Sequence, residues 1–488
     1  GWGTRDVTQG PVELLLSIGQ FAPIRDLLLR VFRQQNPDGD WPQWFMFYER
    51  ERGIRPGDSH GDIVYWPLLA LAQYLNATGD ATILQENLPF FQSEPAQAEE
   101  CSVWRHVEQA LELIQGRVIP DTRLAAYGHG DWNDSLQPAD PALRERLCST
   151  WTVTLHYQTL TTLAQALGAV GHAEPAGILE DMADKVLADF RQYLLIDGVL
   201  AGYAYFEEDG TIDYLLHPRD RKTGLTYSLL PMIHAVINDM LAPDEARRHL
   251  DLIRQHLHGP DGAHLFDRPM AYRGGPMTLF QRAESSSFFG REIGNMYMHA
   301  HLRYAEALWR FGDSEAFLDA LSRAVPIGIQ SIVPSATRRQ ANCYYSSTDA
   351  AFPDRYRAHD EYDKALNGEI PLEGGWRVYS SGAGISTTLI LRCLLGIRRA
   401  RATLVIDPVL APALDGLRVE TDLAGHRFDI TYRVAARGCG PVKLELNGTA
   451  LTFRRLPNPY RSGGAEVAMP LLREALVDGV NWLTISLE

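Results

Sequence analysis

The hydrophobic period of this chain changes once, close to Ile406-Asp407-Pro408, and that change limits what it can fold into. Upstream, apolar residues recur at three- and four-residue steps. Ile178, Leu179, Met182, Val186, Phe190 and Tyr193 make one such series, and Met298, Leu302, Ala305 and Trp309 another. That spacing predicts amphipathic helices. Downstream the step is two: Phe428, Ile430, Tyr432 and Val434 alternate with Arg427, Asp429, Thr431 and Arg433. Val442, Leu444 and Leu446 run into Asn447-Gly448, and Leu483, Ile485 and Leu487 close the chain. Alternation marks half-buried strands, and Asn-Gly is a hairpin turn signal.

Within the helical region Gly79, Gly171 and Gly312 each stand between two helical patterns, where a left-handed cap ends one helix before the next. These hairpins share no fixed period, which argues against a solenoid of near-identical repeats. Long stretches rich in Gly, Pro and aromatics separate the helices at 36–66, 118–140, 258–292 and 334–378. Connections beyond about 12–15 residues are usually functional or disordered, and the Trp and Tyr content here favours function. Residues 1–400 have room for roughly twelve helices of ordinary length. The expected fold is mainly α: an (α/α)6 barrel over 1–400, then a small antiparallel, sandwich-like β-domain over 401–488. A less regular helical array has the same periodicity.

The chain carries 46 basic and 61 acidic residues, a net charge of −15, spread along the chain rather than blocked. Nucleic acid is therefore not an expected partner. Cys101, Cys148, Cys343, Cys393 and Cys439 are scattered and show no CxxC spacing. A disulfide framework or zinc site is not expected, and a cytoplasmic location is. No apolar run reaches the roughly 18 residues of a membrane span. The chain starts at Gly1-Trp2 inside what reads as a motif, so an upstream piece is expected.

The most informative segment is Tyr127-Gly128-His129-Gly130-Asp131-Trp132-Asn133-Asp134-Ser135. It puts two carboxylates, a flat aromatic ring and glycines on one loop after a helix. Cleaving a glycosidic bond needs a carboxylic acid beside the leaving oxygen and an apolar surface under a sugar ring. An Asp-rich turn capping the next helix accounts for the same letters.

Gly130-Asp-Trp-Asn-Asp134 resembles the catalytic-acid motif of the family 94 glycoside phosphorylases. The resemblance implies that Asp134 is the general acid and that Trp132 borders the sugar being released. Ser135 departs from the Gly usual there. Gly3-Thr4-Arg5-Asp6 is similar to the family's Gly-x-Arg-Asp motif, implying that Arg5 and Asp6 bind the non-reducing sugar. Arg291-Glu292-Ile-Gly294-Asn295-Met-Tyr-Met-His299 resembles a third motif, with Asn and Gly in a different order. It implies Arg291 and Glu292 near the acceptor and His299 on phosphate. Trp376-Arg-Val-Tyr-Ser380-Ser381-Gly-Ala-Gly384, followed by Leu395-Gly396-Ile397-Arg398, resembles a fourth, implying phosphate at Ser380 and Ser381. Hydroxyl and N–H donors near a helix start suit an oxyanion independently of the alignment.

The implied reaction is inverting phosphorolysis of a β-linked oligosaccharide, toward an oligoglucan rather than cellobiose. Inorganic phosphate is co-substrate, with no metal and no organic cofactor. An N-terminal β-sandwich domain, lacking here, and a second copy of the chain are the expected protein partners. Alternatives are an inverting hydrolase using Glu292, Glu369 or Glu373 as base, an epimerase using paired histidines, and a non-catalytic sugar-binding fragment. A lone His on a helix with Met298 and Leu302 is more often structural, and His301 competes for the role of His299. Trp41, Trp44, Tyr65 and Trp66 are candidates for the cleft wall or for the core.

Overall fold

The computed structural model describes residues 1–92, 100–341, 343–375, 377, 380–423 and 425–488. Its first helices are α1 (Thr4–Thr8), α2 (Gly10–Ser17), α3 (Phe21–Phe32), α4 (Tyr65–Thr78) and α5 (Val103–Gly116). Then come α6 (Thr150–Ala169), α7 (Ala173–Tyr193), α8 (Leu229–Ile237), α9 (Pro243–Leu252) and α10 (Gln281–Ser285). Next are α11 (Met298–Phe311), α12 (Ser314–Arg323), and the short α13 (Ile329–Ile332), α14 (Arg355–Asp360) and α15 (Tyr362–Leu366). α16 (Ser380–Leu389) continues into a π-helical turn over Ile390–Leu394.

Six of these helices pack in a closed cyclic order: α2 on α4, α4 on α6, α6 on α8, α8 on α11, α11 on α16, and α16 back on α2. Burial follows that role. Every residue of α4 from Tyr65 to Ala72 is buried, as an interior helix requires. α3, α7, α9 and α12 each pack against the ring helix beside them in sequence. α7 accordingly buries one stripe, Leu179, Val186 and Phe190. Ile178 is 55% exposed, although it belongs to the same apolar series in sequence. At 100° per residue it stands a quarter-turn off that stripe.

Gly79 and Gly312 close α4 and α11 in the left-handed conformation, at φ 72° and 93°. Loops in these places are short because Asp80 and Asp313 cap the following helices at once.

The C-terminal region has two sheets. One runs in the order Ile397–Ala400, Thr403–Ile406, Ala465–Ala468, Arg454–Arg455. Its first hairpin spans residue 400. The other runs Arg418–Leu423, His426–Arg433, Val480–Leu487, Pro441–Leu446, Thr449–Ala450. The sheets are antiparallel except that His426–Arg433 runs parallel to Val480–Leu487. The chain between those two strands is long enough for the crossover that parallel pairing needs. Phe428, Ile430, Tyr432, Leu444, Leu446, Leu483 and Ile485 meet in one core. Val442 is 52% exposed because a register shift between Pro441 and Lys443 turns it outward. Asn447 and Gly448 have φ of 51° and 82°, as the two-residue hairpin demands. No described helix is long and apolar enough to cross a membrane.

Candidate functional site

The helix ring sets the site, because its helices all start at the same end. Gln9 precedes α2, Asp62 precedes α4, the Asp131–Ser149 segment leads to α6, and His299 lies in the first turn of α11. His299 Nε2 bonds Gln9 Oε1 at 2.8 Å. A Cβ on Gly10 would stand 2.7 Å from the Ser381 backbone, so α2 and the start of α16 touch there. The positive ends of several helix dipoles thus share one region.

The two carboxylates of the central loop differ completely. Asp131 is 1% exposed and accepts from the Ser149 hydroxyl (2.6 Å), the Thr152 hydroxyl (3.2 Å) and the Asn133 N–H (2.9 Å). Burial pushes it up to about 7, reinforced by the Asp62 charge and opposed by its hydrogen bonds. Asp134 opens a short turn in which Asn133 accepts from the Ser135 N–H, and its side chain is 28% exposed. Three basic groups face it: Arg5 Nη2 at 3.4 Å, Arg282 Nη1 at 3.7 Å and His60 Nδ1 at 3.8 Å. Asp131 therefore anchors the loop, and Asp134 presents an accessible carboxylate.

Arg5 is the hub. Its Nη1 donates to both oxygens of Asp62, at 3.2 and 3.0 Å, and Asp62 also accepts from Trp66 Nε1 at 2.9 Å. Burial alone would lower the Arg5 pKa, but the charges of Asp62, Asp134 and Asp6 outweigh it and raise it. Asp6 is exposed toward this cluster. Its carboxyl is raised, first by desolvation, then by Asp134 and Asp62, against the pull of Arg5.

Trp132 stacks on His299 with ring centroids 4.5 Å apart, and meets Tyr297 edge-on at 5.1 Å. His299 is 1% exposed, and its Nδ1 has no hydrogen-bond partner among the described residues. Burial, then the charges of Arg303, His234 and Arg5, holds it well below the usual imidazole range, so the ring is neutral. His301 points elsewhere, its Nε2 on the Ala320 carbonyl at 2.8 Å.

Arg291 and Glu292 lie together in a one-turn 3-10 helix, Arg291–Ile293. Glu292 is 4% exposed between Arg291 (3.3 Å) and Arg282 (3.4 Å). Arg291 has φ 57°, a conformation unusual outside glycine. Its backbone bonds Asp349, a buried carboxyl that desolvation pushes up to about 7. Ser381 is buried in the first turn of α16. Ser380 opens that helix, its side chain lying outside the described set, as do Trp376, Val378 and Tyr379.

Of the other candidates, Trp41, Tyr65 and Trp66 are core, at 0%, 2% and 4% exposure, while Trp44 is 37% exposed. Glu369 and Glu373 are exposed. Sequence reading missed Asp62, Arg282 and Gln9. Asp62 carried a signal: it stands in Ser59-His60-Gly61-Asp62, a polar, Gly-bearing run just before an apolar helix. Arg282 and Gln9 carried none, since their partners are 10 and 290 residues away. No group of three or more His, Cys, Asp or Glu suited to a metal occurs among the described residues.

Comparison with known proteins is consistent with this geometry. The model of the glycosyl hydrolase 94 superfamily catalytic domain matches residues 17–346, and that of the glycoside phosphorylase C-terminal domain matches 396–484. A 1,2-beta-oligoglucan phosphorylase of Listeria innocua is 41% identical over 100% of this chain and 44% of its own length. A cellobionic acid phosphorylase of Neurospora crassa is 22% identical over 84% of this chain and 48% of its own. A 3-O-beta-D-glucopyranosyl-beta-D-glucuronide phosphorylase of Paenibacillus borealis is 23% identical over 90% and 53%. The chain spans about half the length of these curated relatives.

Proposed function

This chain belongs to the glycosyl hydrolase 94 superfamily, and from that premise we propose that it is the catalytic portion of an inverting phosphorylase of β-linked oligoglucans. On this reading the closed ring is the inner layer of an (α/α)6 barrel, with α3, α7, α9 and α12 in the outer layer. The observation that carries the proposal is the division within one loop. Asp131 is sequestered by hydrogen bonds, and Asp134 alone of the pair is accessible.

Asp134 in its acid form gives a proton to the glycosidic oxygen as the C1–O bond breaks. A phosphate oxygen attacks C1 from the opposite face, forming an α-sugar 1-phosphate and a shortened acceptor. The Asp134 carboxylate then regains its proton from solvent. Hydrolysis with inversion needs a second carboxylate to activate water. Phosphate is already an anion and needs donors instead. Ser380 and Ser381, at the start of α16, are the proposed donors, and His299, at the start of α11, is the proposed partner of the phosphate P–OH. With its Nε2–H on Gln9 Oε1, the neutral His299 would accept at Nδ1 from a P–OH of the phosphate. Arg5 and Asp6 would hold the non-reducing sugar, Trp132 its face, and Arg291 and Glu292 the acceptor. No metal or organic cofactor enters the scheme.

The Listeria relative is a 1,2-beta-oligoglucan phosphorylase, and 41% identity along the whole chain supports that substrate class. Its greater length supports an additional domain in the complete enzyme. One observation favours a second reading: Arg282 Nη1 contacts both Asp134 (3.7 Å) and Glu292 (3.4 Å), so a second carboxylate stands near the first, as a hydrolase requires. The assay that separates them measures cleavage of a 1,2-β-glucan oligosaccharide with and without inorganic phosphate. Phosphorolysis requires phosphate and yields α-glucose 1-phosphate. Equal release of free sugar in both conditions would establish hydrolysis.

A further inference from the structure

The opposite end of the ring is also lined by chemistry. The C-terminal halves of the ring helices and the hairpin Ile397–Ile406 enclose a cavity of about 590 Å³. Some of its cations are satisfied internally. Arg303 is held by Glu13 and, at 2.6 Å, by Glu306. Arg454 is held by Glu466, and Arg401 donates to the Ala169 carbonyl that ends α6. Arg392 and Arg398 are different. Both line the cavity, and neither has a hydrogen bond or ion pair among the described residues.

Arg398 is exposed, and the cavity is what it faces. Burial, then the neighbouring Arg392 charge, lowers it to about 10, so it remains a cation at neutral pH. The carboxylates whose charges reach Arg398, Asp407 and Glu466, are already paired with Arg461 and Arg454, so an anion between the two guanidiniums would offset charge that is left over. Helix C-termini add negative partial charge here. Arg401 already takes up part of it, and the lining arginines outnumber the lining carboxylates. His234 is 4% exposed, lines the same space, and neither ring nitrogen has a hydrogen-bond partner among the described residues. The amides of Gln73, Gln158 and Gln165 complete a wall suited to hydroxyl groups.

We infer that this chamber is a second ligand site, at the opposite end of the ring helices from Asp134, that binds the phosphate group of a small phosphorylated polyol through Arg392 and Arg398. Paired guanidinium forks match a phosphate's oxygens, and the chamber has room beyond the phosphate for a sugar-sized body. The site adjoins the catalytic end through two rungs on the same helices. Gln9 and His299 form one, and Glu13 and Arg303, four residues further along each helix, form the other. An anion drawn to Arg303 competes with Glu13 and so bears on the helix that carries His299.

The test uses equilibrium binding of inorganic phosphate, glucose 6-phosphate and glucose to the full chain. It is repeated on Arg398→Met, Arg392→Met and the conservative Arg398→Lys. Expected is binding of glucose 6-phosphate that survives His299→Ala and weakens at least tenfold in either methionine variant, with Arg398→Lys intermediate. Glucose alone should not bind this site. If inorganic phosphate binds as tightly as the ester, the site takes free phosphate and the polyol part is wrong. Phenylglyoxal labelling read by peptide mass spectrometry covers the case in which a variant fails to fold. Glucose 6-phosphate should shield Arg398 in the wild-type chain. Unchanged labelling of Arg398, or binding abolished by His299→Ala, would overturn the proposal.

Discussion

Arg5 and Asp62, 57 residues apart, form a buried ion pair with Arg5 Nη1 on both carboxylate oxygens, and the other end of the same guanidinium faces Asp134. The pair holds the chain's first helix against the loop before α4. It also fixes a positive charge beside the proposed acid. Replacing Asp62 by Asn removes the buried partner of that charge and leaves it to the more accessible Asp134 and Asp6. The expected loss is about 3–5 kcal/mol of stability, read from chemical denaturation, and activity should fall with it. A variant as stable as wild type would mean that water or substrate groups already balance Arg5.

Asp134→Asn should leave the fold intact and remove the transferable proton. Turnover of an unactivated oligosaccharide is expected to drop about 10²–10⁴-fold. Circular dichroism and sugar binding should be nearly unchanged. Activity close to wild type would return the role to another carboxylate, Glu292 first.

Asp131 offers a pH signature. Its folded-state pKa is raised from the ordinary 3.8 to about 7, mainly by burial. The folded protein therefore binds this proton more tightly than the unfolded chain. The contribution is fully present below about pH 4 and is lost as pH rises through about 7. Thermal midpoints of wild type minus those of Asp131→Asn, measured from pH 4 to 8, should fall across that window. A flat difference would show that the Ser149 and Thr152 hydrogen bonds keep Asp131 ionised.

His299→Ala should raise the KM for phosphate by about two- to tenfold, the worth of one hydrogen bond to a neutral group. Because burial keeps the ring neutral, the phosphate KM should show no inflection near pH 6.5 that the variant abolishes. Such an inflection would mean that the imidazole is charged when phosphate binds.

Gly10→Ala probes the contact between α2 and α16. The added Cβ meets the Ser381 Cα and carbonyl oxygen at 2.7 Å, and backbone cannot yield as a side chain can. The start of α16 must shift. The phosphate KM is expected to rise more than that for the oligosaccharide, and equal changes would show that Ser381 lies outside the phosphate subsite.

What the sequence determined here is local. Apolar spacing set α7 and α11, and the left-handed requirement at Gly79 and Gly312 ended helices where expected. Asn447-Gly448 specified its turn through the φ values it alone tolerates cheaply. The Gly130–Ser135 motif marked the loop of interest, and His299 and Ser381 were legible through resemblance. Only the tertiary structure decided which carboxylate of that loop stays accessible. That depended on Ser149 and Thr152, which reach Asp131 from the next helix start. The same holds for Gln9, Arg282 and the pair Arg392 and Arg398, whose surroundings come from segments far apart in the chain. Ring closure brings those segments together, and burial and charge are properties of the assembled space, which no single stretch of residues encodes.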